Sequence, residues 1–497
     1  AANAYFLVAP KGTGLKIFEI AHHLLSKAAV ECCHPELVRQ KKHRSIYKEQ
    51  WHLKPITKNG NLIGQHVHVE ETWQTTRGEG MTIAIIDDGV DQDHEEFIGK
   101  IVAPYDAVLN IDDGNPKARG EDHGTCCAGV ACAAGRKKAS GVAPEANLMP
   151  IRIGNLGSIT EAKGIRWAAD NGADIISCSW GPMDGPWWDT EDPRHFITAF
   201  LPDSTRFAIE YAIKNGREGK GCVIVWAAGN GNESIDYDEY ASHPDVIAVA
   251  ASNDLGVRSY YSDYGAAVWC CFPSSDVDAL DLNVPRQQPL TSGIWTTDRR
   301  GDFGYNLGAA FSGDVKGNYN SSFGGTSSAC PGVAGVIALM LAANPALNYQ
   351  EIKTIIKKSC DKIDEELGGY DAKGHSHFYG YGKINAAKAV ANALKANEDE
   401  NDDFQVNGVA QYSKKEDVII EAGELTGDLP IKKRLLALSL NIDPFHPNLS
   451  LKYRTNINNK GFTPWSLTGE ENGTKDRRRK LIGIEMKLTG SLANQYD

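Results

Sequence analysis

Three polar side chains stand at the ends of strongly apolar segments in this chain. Asp87 closes the run MTIAIID, His123 opens the small-residue stretch HGTCCAGVACAA, and Ser327 follows a Gly-Gly-Thr turn in FGGTSSACPGVAGVIALM. A carboxylate, an imidazole and a hydroxyl are the groups that nucleophilic acyl transfer requires: the imidazole takes the hydroxyl proton, and the carboxylate orients the imidazole and stabilises its charge. Singly, each has an ordinary structural reading. A strand-end Asp caps turns, a His at a helix start is a packing residue, and a Ser there is an N-cap. The Gly and Ala residues after His123 let a helix pack closely under a sheet with the imidazole at its mouth. Ser327 stands at a helix start, where amide N–H groups and the helix dipole favour the negative charge of a tetrahedral oxyanion. Pro331 falls in the first turns of that helix, where a missing N–H costs least.

The elements that must position these residues follow from the pattern. MTIAIID, NLMPIRI, DIISCS, CVIVWAA and VIAVAAS are apolar runs bounded by Gly, Asn, Asp or Ser, as buried parallel strands should be. GTCCAGVACAA, EAKGIRWAADNG and STRFAIEYAIKNG between them read as helices. The expected fold is α/β, a mainly parallel sheet with helices on both faces. A catalytic domain is expected over 45–396. It is preceded by a small α+β segment, 1–44, with strands near 5–10 and 29–33 around a helix near 15–27. The acidic run 397–403 reads as a linker, and the strand-like runs of 404–497 as a small all-β domain.

The order Asp, His, Ser in these motifs resembles the subtilisin family of serine proteases. That resemblance implies a triad of Asp87, His123 and Ser327, an acyl-enzyme intermediate, and an oxyanion hole completed by the side-chain amide of Asn230 at the end of VIVWAAGN. IIDDGV, SCSWGPMDG and IWTTD look like the kexin and furin branch. By that likeness Ser179, Trp180 and Gly181 form the edge that pairs with extended substrate backbone. Asp184 and Asp238 would line a pocket for Arg or Lys, since two carboxylates in a partly buried pocket call for a cation. Asp88 could favour a second basic residue and Glu161 a more distant one, although Gly154 and Gly164 stand where the branch tends to place acids.

The same resemblance implies Ca2+ as cofactor, held by Asp184, Asp236 and Asp263 beneath the pocket. A second site could use Glu96, except that Gly135-Arg136-Lys137-Lys138 brings lysine near an expected ligand, so that an ammonium group would replace the ion. The basic cluster ending at Arg44 lies at the position of a propeptide junction, which makes cleavage after Arg44 and pairing with the N-terminal segment expectations. Residues 451–490 look like a single hydrophobic repeat of bacterial surface proteins, carried by Gly461, Trp465, Gly469, Gly473 and Glu485, and suggest envelope or surface attachment; Trp465 could equally be a core residue. Arg477-Arg478-Arg479 is another basic cluster that such a protease could cut.

A formal net charge of −12 over 497 residues argues against nucleic acid as partner. No apolar run is expected to reach the roughly 18 residues of a membrane span. A start without Met or a basic leader implies a signal peptide absent or already removed. Eleven cysteines is an odd number, and those in apolar motifs read as buried free thiols. That leaves a reducing compartment open beside the secreted, periplasmic or envelope location the resemblance implies. Two rivals use the same chain differently: a non-catalytic adhesion protein, and a peptide macrocyclase passing the acyl group to an amine.

Overall fold

A computed structural model describes residues 16–27, 46–154, 157–277, 287–396, 405–412, 418–420, 435–443, 450–468, 470–476 and 478–489. The expected strands near 5–10 and 29–33, Cys32 and Cys33, the connector with Arg44, the acidic run 397–403, Gly469 and Arg477 lie outside the described residues. The chain divides into two compact units, Ala1–Lys395 and Ala396–Asp497.

The first unit is built on a nine-stranded sheet. From one edge the order is Cys360–Asp361, Lys383–Ile384, Val268–Pro273, Val246–Ser252, Val223–Ala227, Ile175–Cys178, Thr82–Asp87, Asn147–Arg152 and Tyr105–Asp106. Every ladder in it is parallel except that of Cys360–Asp361 with Lys383–Ile384. The central strands are apolar on both faces because both faces are covered. Ile83, Ile85, Val223 and Val225 point into the larger core with the helices His123–Cys132 and Gly325–Ala343. Ala84, Ile86, Ile224 and Trp226 point the other way, toward Ser158–Asp170 and Asp203–Asn215.

The helix Gly325–Ala343 overturns one expectation. It is 19 residues long with a mean hydropathy of 1.6 over its most apolar stretch, long and apolar enough to cross a bilayer. Residues 328–341 are all buried in the protein interior. A helix apolar all round is what the middle of a large α/β core needs.

All described cysteines are free thiols, eight of them buried and Cys360 half-buried. The N-terminal amphipathic stretch contributes a helix at Lys16–Leu25.

The second unit is all β. Gln405–Tyr412 pairs with Leu435–Asp443, and Ser450–Ile457 pairs with Leu481–Thr489, both antiparallel. Alternate residues of Ser450–Ile457 are buried, the pattern of a strand with one face on a core. Tyr453 is the large residue of that core. Trp465, the other reading of the core centre, is half-buried, with Arg454 and Lys487 each 4.6 Å over its ring. Arg454 also pairs with Glu485 at 2.6 Å.

Candidate active site

Asp87 is the last residue of its strand and His123 the first of its helix, so sheet and helix deliver the carboxylate and the imidazole to one rim. Close approach is possible because residue 124 is glycine: a Cβ there would stand 2.4 Å from the Gly89 carbonyl oxygen and 2.8 Å from the Asp87 Cβ. His123 Nδ1 lies 2.9 and 3.0 Å from the two oxygens of Asp87. A carboxylate accepts only, so Nδ1 carries the proton and Nε2 holds the lone pair. Burial is the largest single effect and works against the charged ring, but the Asp87 carboxylate, with Cys127 behind it, holds the His123 pKa well above its ordinary value.

Ser327 is linked to this pair through Cys127, whose Sγ lies 3.7 Å from His123 Nδ1; the Ser327 hydroxyl itself makes no hydrogen bond to His123. The Ser327 carbonyl oxygen is 3.5 Å from Cys127 Sγ, one turn after His123, and accepts from Ser179 Oγ at 3.2 Å. The Ser327 hydroxyl donates to the Ser179 carbonyl at 3.4 Å. Gly325, at φ 71°, turns the chain into the helix beside Asn230. The Thr326 amide donates to Asn230 Oδ1 at 2.8 Å, and the Thr326 hydroxyl lies 3.2 Å from the same oxygen. Since an N–H needs an acceptor, this fixes the orientation of the Asn230 amide. Its Nδ2 is taken by no acceptor among the described residues.

The neighbouring backbone edge is rigid. The Trp180 indole donates to the Ile86 carbonyl at 2.7 Å, and the Trp226 indole to the Trp180 carbonyl at 2.5 Å. Gly181 leaves room beside Asp238: a Cβ on it would lie 3.8 Å from Asp238 Oδ2. Burial, and then the charge of Asp184 beyond the opposing backbone amides, pushes the Asp238 pKa up to about 6.

Asp184, Glu233 and Asp263 each bring one carboxylate oxygen within 4.8 Å of the others. Asp184 Oδ2 accepts the Asn230 amide at 2.8 Å, and Asp263 Oδ1 accepts the amides of Gly231 and Glu233 at 2.8 and 2.9 Å. Glu233 Oε2 accepts from the Gly185 amide and His195 Nδ1. Burial and neighbouring carboxylates push Asp184 up to about 6 and Asp263 well above the carboxylate range. Such crowding is relieved by a hard cation, and oxygen donors of this kind fit calcium.

Two expected metal ligands fall elsewhere. Asp236 is exposed on the short turn Ile235–Tyr237 and is not in the cluster; Glu233 takes that place. Sequence reading missed Glu233 because it took the third ligand of this site from the family resemblance, which pointed to Asp236. Glu96 is fully buried, and the amides of Arg136, Lys137, Lys138 and Ala139 all donate to its carboxylate, while the Tyr319 hydroxyl lies between it and Glu95, at 3.2 and 3.0 Å. Four backbone donors already satisfy this carboxylate, which argues against Glu96 as a calcium ligand. Nor does an ammonium group replace the ion, because Lys138 Nζ pairs with Asp314 at 3.2 Å.

The two acids expected to read basic residues have other partners. Asp88 caps the helix His123–Cys132, accepting the amides of His123 at 3.1 Å and Gly124 at 2.8 Å. Burial, and then Asp87, raises its pKa to about 7. Glu161 accepts from the hydroxyls of Thr205 at 2.7 Å and Tyr240 at 3.3 Å.

Comparison with known proteins agrees with this architecture. The subtilase family model matches residues 78–382. The calcium-dependent protease of Nostoc sp. is 58% identical over 80% of this chain and 59% of its own length. Kexin of Saccharomyces cerevisiae is 30% identical over 69% of this chain and 39% of its own. The chain thus spans well under two thirds of either relative. Among solved structures, the Aeromonas sobria serine protease in complex with its chaperone superposes with a TM-score of 0.59 at 18% identity, covering 89% of this chain and 87% of that one, a likeness of fold. With a family model matched over residues 78–382, more than half of its length, this chain belongs to the subtilase family of serine proteases.

Proposed function

We propose that the protein is a calcium-dependent serine endopeptidase that hydrolyses peptide bonds after Arg or Lys. The observation that carries this is the Asp87–His123 hydrogen bond beside Ser327 and an Asn230 amide with a free N–H. Ser327 Oγ leaves the Ser179 carbonyl by rotation about χ1, gives its proton to His123 Nε2 and attacks the scissile carbonyl. Asn230 Nδ2 donates to the oxyanion. His123 then returns the proton to the leaving amine, and water attacking the acyl-enzyme repeats the sequence. Asp238, beside Gly181, offers its carboxylate to a basic side chain, and the neighbouring charge of Asp184 adds to the attraction.

Calcium would be held by Asp184, Glu233 and Asp263, where it supplies positive charge that fixes the 229–233 loop carrying Asn230. The name of the Nostoc relative supports this. Domain limits near 44 and 396, self-cleavage after Arg44, a retained N-terminal segment and surface attachment through the C-terminal β unit belong to the same proposal. With Asp88 and Glu161 engaged elsewhere, demand for paired basic residues is weak.

The test is hydrolysis of chromogenic peptides ending in Arg or Ala, with and without a calcium chelator, beside the Ser327→Ala protein. Preference for Arg, loss on chelation and loss in Ser327→Ala are expected. Equal hydrolysis of the Ala peptide defeats the specificity, and full activity of Ser327→Ala defeats the mechanism.

A further inference from the structure

Shortly before the strand Thr82–Asp87 in sequence, two histidines and a glutamate converge. His66, His68 and Glu71 each present a ligand atom, and the three atoms lie within 4.8 Å of one another. The imidazole centroids of His66 and His68 are 4.3 Å apart. We propose that these residues bind a divalent transition metal of the zinc class, at a site separate from the carboxylate cluster and the triad.

Three features point to such an ion. His66 Nδ1 lies 3.2 Å from the Gly64 carbonyl, which can only accept, so Nδ1 carries the proton and Nε2 is the lone-pair nitrogen available to a metal. His68 Nδ1 stands 3.5 Å from Glu71 Oε1, close to the spacing of about 3.4 Å that a tetrahedral ion sets between donors each about 2.0–2.1 Å away. On the far side of the ring, His68 Nε2 faces Asp361 Oδ2 at 4.0 Å, which gives the outer N–H a carboxylate to steady it once Nδ1 ligates.

The backbone supports the same reading. His68 adopts φ 60°, ψ 41°, a left-handed conformation that non-glycine residues seldom take. It then leads directly into the helical turn Val69–Thr72 that carries Glu71. Two imidazoles and one carboxylate are a zinc-type donor set with a fourth position open to water, and they disfavour calcium, which takes oxygen ligands. The positive charge of Lys383, which donates to Gln65 at 2.9 Å, lies nearby and limits the affinity. An ion here would tie the 66–71 segment to the edge strand Cys360–Asp361 through His68.

The test is zinc titration of the full chain carrying Ser327→Ala, in excess calcium to fill the carboxylate cluster, against the same protein with His66→Gln or Glu71→Gln. The two variants separate loss of a ligand from loss of fold, because both side chains are at least partly exposed and their zinc-free melting temperatures should match the parent. Asp87, His123 and Cys127 also bring ligand atoms within 4.8 Å, and that cluster is left intact in every protein compared. The expected result is one equivalent of zinc lost, or its Kd raised at least tenfold, in both variants, with a zinc-dependent rise in melting temperature confined to the parent. Zinc uptake equal in parent and variants, or parent binding weaker than about 100 µM, overturns the assignment.

Discussion

Replacing His52 with leucine is expected to flatten the acid limb of the catalytic unit's stability. His52 is completely buried between Trp51 and Phe272, and neither ring nitrogen has a hydrogen-bond partner. Burial lowers its pKa from 6.5 to about 3. A histidine depressed in the folded state is neutral there while the unfolded chain takes up a proton, so stability is intact above pH 6.5 and drains away as pH falls toward 3. At pH 5 the linkage is RT ln[(1 + 10^1.5)/(1 + 10^−2)], about 2 kcal/mol, or roughly a thirtyfold shift toward unfolding. A folded pKa of about 4 would give nearly the same figure, because at pH 5 the unfolded chain supplies almost all of it. The assay is urea unfolding followed by tryptophan fluorescence at pH 7 and pH 5, with Ser327→Ala in both proteins to prevent self-digestion. Every other titrating group is common to the pair, so the difference between them isolates His52. The reasoning is refuted if the stability lost between pH 7 and pH 5 differs by less than about 0.5 kcal/mol between the two proteins. An imidazole signal from His52 titrating near 6.5 would refute it equally.

Asn230→Ala should lower kcat by about 10²–10³ with little change in KM, since the amide meets the oxyanion only after attack; steady-state kinetics on an Arg peptide will show it. Glu233→Gln should raise the calcium concentration for half-maximal activity at least tenfold, whereas Asp236→Asn should leave it unchanged; the reverse order would restore the aspartate-only ligand set. Glu96→Gln should cost about 2–4 kcal/mol of stability, because an amide NH2 group would face backbone donors, without altering the calcium response. Because Asp87 holds His123 above its ordinary pKa against the effect of burial, the acid limb of kcat/KM should lie above pH 6.5, with activity rising as the ring loses its proton. Asp87→Asn should move that limb to lower pH while reducing the rate.

The alternation of apolar runs with small-residue helices was enough to read the sheet and the covering helices, because strand and helix periodicities are local properties of the chain. Asp87, His123 and Ser327 stood out as polar residues at element boundaries, each with an ordinary structural reading by itself, and it was their order, resembling that of the subtilisin family, that made them a candidate triad. Acids further along the site were a different matter. Asp236 and Glu233 are three residues apart in one loop, and only the short turn at Ile235–Tyr237, which leaves Asp236 exposed, decides which of them joins Asp184 and Asp263. Glu96 looked like a cation ligand until folding brought the amides of 136–139 against it from 40 residues away.

His52 and the helix Gly325–Ala343 make the same point. Nothing local distinguishes a solvated histidine from one sealed beneath Phe272, or a core helix from one that meets lipid. Residue type and spacing settle which backbone a segment adopts and which chemistry it could offer. Which of several similar charges meets an ion, a backbone amide or water depends on segments distant in sequence. Desolvation and Coulomb energies act over a few ångströms of space, and only the folded chain establishes those distances.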